Sequence, residues 1–115
     1  MSIPDCGDVP HLPLPRRATV PAEVRERAAR MLSAAGEPSR LALLELLDGR
    51  ELCVSDLVTV TGDPMPSVSQ RLRVLKTEGL LRSRRDGKHV FYALADVHVQ
   101  KLLTNVLRHA AERNG

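Results

Sequence analysis

The stretch "CVSDLVTVTGDPMPSVSQRLRVLKTEG", Cys53 to Gly79, decides the fold. Its first part, "CVSDLVTVT", reads as a short helix before Gly62, and "PSVSQRLRVLKTEG" as a second helix that Gly79 ends. In the second helix Val68, Leu72 and Leu75 recur at helical spacing, and Ser67, Ser69, Gln70, Arg71 and Arg73 lie off that line. A short helix, a glycine-containing turn and a second helix with polar outward residues make a helix-turn-helix. Such a second helix enters the major groove, where Gln and Arg form paired hydrogen bonds to base edges. Ser67 and Ser69, near its start, are candidates for bonds to phosphates or bases.

Working outward, "LLRSRR" and "HVFYALA" read as two short strands around Asp86-Gly87, a dipeptide that favours hairpin turns. This hairpin is a candidate wing, with Arg84, Arg85 and Lys88 placed for backbone phosphates. Between Pro66 and Val90 seven basic residues face only Glu78 and Asp86, a local excess of five in a chain whose net charge is +3. A concentrated positive field of this kind suits double-stranded DNA, although a solvated basic face carries the same charge.

Upstream, a helix is expected from Pro21 through "AEVRERAARMLSAA", broken by Gly36 and Pro38. "SRLALLELLDG" is the next, with Ser39 as its expected cap and Gly49 as its stop. The first 15 residues, with Pro4, Pro10, Pro13 and Pro15 beside Cys6, Gly7 and His11, read as a flexible N-terminal arm. Residues 16–115 then form one mainly α domain, a winged helix-turn-helix with a small β-hairpin and terminal dimerisation helices.

Composition narrows the remaining classes. Apolar residues make up 43 % of 115 residues, but with no Trp, one Phe and one Tyr the core must be Leu, Val and Ala. Such a small aliphatic core gains from homodimerisation, which buries more apolar surface. No apolar run approaches the roughly 20 residues that span a bilayer, and the N-terminus lacks the order of a secretory signal. Two cysteines make no disulfide framework, so a soluble cytoplasmic protein is expected. No Gly-rich phosphate loop or nucleophile elbow points to an enzyme.

The last helix, "ADVHVQKLLTNVLRHAAE", carries Asp96, His98, His109 and Glu112 beside an apolar stripe of Leu102, Leu103, Val106 and Ala110. At about 100° per residue His98 and His109 share nearly one face. Along the axis they stand about 16 Å apart, too far to share an ion bound at about 2 Å. An antiparallel copy of the helix, related by a two-fold axis near Leu103 and Thr104, removes the difficulty. Asp96 and His98 of one chain then meet His109 and Glu112 of the other. Two imidazoles with two carboxylates favour Zn(II) or Co(II) over Cu(I). In the plain alternative, Asp96 caps the helix and the other three side chains sit in water.

"EPSRLALLELL", "ELCVSDL", "SVSQRLRVLKTEGLL" and "RRDGKHVFYAL" together resemble the ArsR/SmtB family of dimeric winged-helix repressors, in order from about Glu37 to Glu112. The resemblance implies a homodimer on an operator of two-fold character, joined through its first and last helices. It also implies release from DNA when an inducer binds, usually a divalent metal ion, with Zn(II) first and Co(II), Cd(II) or Ni(II) behind it. Asp96, His98, His109 and Glu112 look like the interhelical zinc site of SmtB-type sensors. Arg71 departs from the pattern, since many relatives carry His there, and this bears on the operator sequence. "ELCVSDL" matches the family's metal-binding version of its helix at Cys53 and Asp56. Cys6 and His11 of the arm are candidates to complete that second site. The alternatives are a metal-independent regulator and a thiol- or arsenite-sensing repressor using Cys53.

Overall fold

A computed structural model describes Pro13 and residues 20–112, so all of the expected arm except Pro13, with Cys6 and His11, lies outside the described residues. Eight elements follow in order: α1 (Ala22–Ala35), α2 (Pro38–Leu46), β1 (Leu52–Cys53), α3 (Val54–Thr61), α4 (Met65–Thr77), β2 (Leu81–Asp86), β3 (His89–Leu94) and α5 (Val97–Glu112). The helices stand where the hydrophobic spacing places them, and the three strands form one antiparallel sheet in the order β1-β3-β2.

The core is aliphatic throughout. Leu43, Leu44 and Leu47 of the α2 region, Leu57 of α3, Val68, Leu72 and Leu75 of α4, and Leu80 are fully buried. Val99 and Leu103 carry α5 into the same cluster, which reaches Leu81 and Leu94 of the sheet. Burying each such side chain contributes about 1.5–3 kcal/mol before chain entropy is charged against it. Among the described residues no buried side-chain nitrogen or oxygen lacks a hydrogen-bond partner.

Three local features differ from expectation. The cap of α2 is Glu37 rather than Ser39: its carboxylate accepts the Ser39 N–H at 3.1 Å, the Arg40 N–H at 3.0 Å and the Ser39 hydroxyl. Pro38 forces this arrangement, because its fixed φ suits the first helical turn and moves the capping position one residue upstream. The hairpin loop is Gly87-Lys88, with Asp86 paired to His89 as the last rung of β2 and β3, and Gly87 takes φ 62°. A two-residue loop matching the strands' twist needs positive φ there. The third is β1, which pairs Leu52 with Tyr92 and Cys53 with Phe91. Two residues are too short for a periodic signal.

Hydrogen bonds from Ser39, with smaller help from Arg40, lower the Glu37 carboxyl from 4.5 to about 2. Its contribution to stability is therefore complete above pH 4.5 and disappears as pH falls toward 2. Thermal melts across this range should show wild type losing stability with acid faster than Glu37→Gln. Parallel curves for the two proteins would contradict the cap.

Candidate nucleic-acid interface and metal centre

The buried line Val68-Leu72-Leu75 sets the rotation of α4. At about 100° per residue, Gln70 and Arg73 fall opposite that line, and both are exposed. Ser67 and Ser69 are half-buried on its two flanks. Arg71 is different. Its Nη1 donates to Asp63 Oδ2 at 2.7 Å, and its side chain is only 24 % exposed. The structure thus leaves Gln70 and Arg73 directed outward and draws Arg71 back toward the turn before α4.

The hairpin divides its cations in a similar way. Arg84 Nε donates to both Glu51 oxygens, at 3.0 and 3.1 Å, and its guanidinium lies 4.9 Å from the centre of the Phe91 ring. Arg82 adds a looser contact to Glu51 at 3.8 Å. The Arg84 hydrogen bonds hold the Glu51 carboxyl below its ordinary value and the guanidinium above its own. On the other side, Lys76 of α4 donates to Ser83 of β2 at 2.7 Å, tying the reading helix to the hairpin. Arg73, Arg85 and Lys88 are exposed and make no ion pair among the described residues. Sequence reading missed Glu51 and Asp63, since neither shares a periodic pattern or a motif with its arginine.

Asp96 caps α5, as the plain alternative has it, accepting the Val99 N–H at Oδ1, 3.0 Å. Its other oxygen, Oδ2, stands 3.6 Å from His98 Nδ1, and the two side chains are 53 % and 88 % exposed. The Val99 hydrogen bond, with help from His98, lowers the Asp96 carboxyl and keeps it ionised, the state a metal ligand requires. His109 and Glu112 are exposed three residues apart at the far end of α5. Among the described residues of one chain, no three His, Cys, Asp or Glu side chains converge on a common point. The donor types at the two ends of α5, a carboxylate and an imidazole at each, are of the kind that suits a divalent ion. The exposed apolar residues Val97, Leu102 and Val106 run along α5 beside these donors.

At the start of α3, Cys53 Sγ donates to Asp56 Oδ2 at 3.2 Å, and the same oxygen accepts the Cys53 N–H at 3.1 Å. These bonds lower the Asp56 carboxyl. Cys53 is buried, so this pair offers one sheltered sulfur and one exposed carboxylate.

Three antiparallel strands carrying a wing behind a helix-turn-helix match known regulators in sequence and in shape. Residues 37–83 match the family described as bacterial regulatory protein, arsR family. The HTH-type transcriptional repressor SmtB of Mycobacterium tuberculosis is 36 % identical over 95 residues, 83 % of this chain and 70 % of that protein. The chain belongs to the ArsR family. A cadmium resistance transcriptional regulatory protein, the CadC homolog of Staphylococcus aureus, is 36 % identical over 73 residues, 64 % of this chain and 60 % of that protein. The homodimeric winged helix-turn-helix DNA-binding domain Mb0332 of Mycobacterium bovis superposes with a TM-score of 0.77 at 30 % identity, covering 86 % of this chain and 92 % of that one. This ArsR-family chain is a DNA-binding transcriptional regulator with a winged helix-turn-helix fold, and not an enzyme. Among the described residues no helix is long and apolar enough to cross a membrane.

Within this ArsR-family wing, Glu51 clamps β2 from outside the hairpin. Glu51→Gln should leave the leucine core intact and speed amide hydrogen exchange in residues 81–86, with α4 unchanged. Unaltered exchange in that strand would show that Glu51 does not hold it and that Phe91 and Asp86 suffice for Arg84.

Proposed function

We propose that this regulator is a homodimeric, metal-responsive repressor that binds operator DNA and is released when Zn(II), or a similar divalent ion such as Co(II), Cd(II) or Ni(II), binds between its two α5 helices. The observation that carries this reading is the division of donors on α5: Asp96 and His98 at one end, His109 and Glu112 at the other, with exposed Leu102 and Val106 between them. Two such helices packed antiparallel join complementary halves into two equivalent sites and cover the apolar stripe in the same step. Val20, Val24 and Leu32 are exposed in and just before α1 and extend the surface a second copy would cover. The CadC homolog's role in cadmium resistance and the homodimeric state of the M. bovis domain support the inducer class and the assembly.

Asp96 and His98 of one chain with His109 and Glu112 of the other would hold the ion, which would supply a link favouring one relative arrangement of the subunits, and so a preference against DNA. The chain's own residues do the rest. Asp96 holds the first turn of α5 and turns its remaining oxygen toward His98. Gln70 and Arg73 read base edges, Ser67 and Ser69 position the start of α4, and Arg85 and Lys88 of the wing meet phosphates. Cys53 and Asp56, with Cys6 and His11, form a second candidate metal set, and the Cys53–Asp56 contact at 3.2 Å is what supports it. The regulator acts in the cytoplasm, where its DNA is.

Two measurements bear on this reading. Operator binding by wild type, His98→Ala and His109→Ala should respond differently to zinc: wild type is released and both variants stay bound. Release of all three at the same zinc concentration would remove α5 as the switch. Gln70→Ala should cost about 1–3 kcal/mol on operator DNA and little on scrambled DNA. Arg73→Ala should weaken operator binding and make it less salt-dependent if the side chain also reaches phosphate. Equal losses on both duplexes for Gln70→Ala would exclude it as a base reader.

A further inference from the structure

The turn that joins the two helices of the reading motif is built around Asp63. Thr61 closes α3 by donating its hydroxyl to the Leu57 carbonyl at 2.7 Å, and the same oxygen accepts the Asp63 N–H at 3.1 Å. The backbone of Asp63 is thereby fixed between Gly62, at φ 72°, and Pro64. Its carboxylate then takes Arg71 Nη1 at 2.7 Å, across two turns of α4. Pro64 gives α4 no side-chain cap, so besides the backbone bonds of Ser67 and Val68 to the Pro64 carbonyl this pair ties the turn to the helix.

Arg71 lies beside the reading face, about 60° round the helix from buried Val68 and next to outward Gln70. Its side chain is 24 % exposed, against 50–61 % for Arg30, Arg82 and Arg84, the other paired arginines. A free guanidinium in that position grips any phosphate, whatever the sequence. A carboxylate at 2.7 Å competes with phosphate for the same donors and adds a negative charge that phosphate must approach.

We propose that Asp63 is a specificity-determining residue of this regulator: by holding Arg71 against the turn, it keeps that charge from non-operator DNA and makes Arg71 a positioning strut for α4. Discrimination is a ratio of affinities, and it rises when the sequence-independent part is suppressed. The proposal rests on DNA binding by α4 and is independent of any metal.

The test uses the full chain with two duplexes, one selected from a random pool by the wild-type protein and one scrambled. Affinity for each is measured against salt for wild type, Asp63→Asn, Arg71→Gln and the double variant. Asp63→Asn should bind the scrambled duplex more tightly and steepen its log–log salt slope by about 0.9 per chain. That corresponds to about a 3.5-fold greater loss of affinity per chain, or about 12-fold for a homodimer, between about 50 and 200 mM salt. The selected-to-scrambled ratio should narrow, and adding Arg71→Gln should restore the wild-type slope. A structural pair alone would change melting without changing slope, and that result overturns the proposal. So does a wild-type slope that Arg71→Gln flattens, because Arg71 would then already be on phosphate. A wild-type chain that selects no duplex sinks the proposal together with DNA reading.

Discussion

The burial of Val68, Leu72 and Leu75 against the leucines of α2 and α3 is the constraint on which the other features depend. All three are fully buried, and no aromatic ring belongs to the buried core. Turning α4 by one residue would press Arg71 or Arg73 into that layer in place of Leu72. Burying a charge without a partner costs far more than any one apolar contact returns. The rotation of α4 is therefore a consequence of core packing, and with it the outward position of Gln70 and Arg73. Base reading needs side chains held to within a fraction of an ångström, and the rigidity comes from the side of the helix that never meets DNA.

Because the core takes only apolar groups, charge selection happens entirely on the surface. There the acids decide which bases stay available. Asp63 holds Arg71, Glu51 holds Arg84 with a weaker reach to Arg82, and Glu78 of the α4 end lies 3.9 Å from Arg30 of α1. Exposed pairs of this kind add little to stability. Their effect is on direction. Of the seven basic residues between Pro66 and Val90, Arg73, Arg85 and Lys88 make no ion pair or side-chain hydrogen bond among the described residues, and these are the ones a phosphate backbone meets without displacing an internal partner.

Periodic features were legible in the sequence and pairwise ones were not. The apolar line of α4, the glycines at 62 and 79 and the alternation in "HVFYALA" each repeat or punctuate, and each element they imply is present. Asp96 as a cap follows from its place one residue before a helical run. Glu37 as a cap did not, because Ser39 is the commoner capping residue and only Pro38 at the first helical position moves the boundary. The two-residue β1 depends wholly on β3, 38 residues away, and carries no local signal. The Arg71–Asp63 and Arg84–Glu51 pairs are equally invisible: spacings of 8 and 33 residues belong to no secondary-structure period. The donors on α5 were readable as two halves because helix geometry fixes their separation before any fold is known.

How an event on α5 reaches α4 follows from the same packing. Val99 and Leu103 of α5 share one apolar cluster with Val68 and Leu72 of α4. Gln100 adds a hydrogen bond at 2.8 Å to Asp48, in the turn after α2. Sliding α5 over the rest of its chain would open voids beneath Val99 and Leu103, at a few kcal/mol for each large side chain displaced. A coupling of the usual 1–3 kcal/mol cannot drive that. On the proposed reading each chain then moves as a rigid piece, and a constraint between two α5 helices is expressed as a rotation of one subunit against the other. Such a rotation leaves each α4 intact while changing the distance and angle between the pair. Two major grooves one turn apart accept only a narrow range of either.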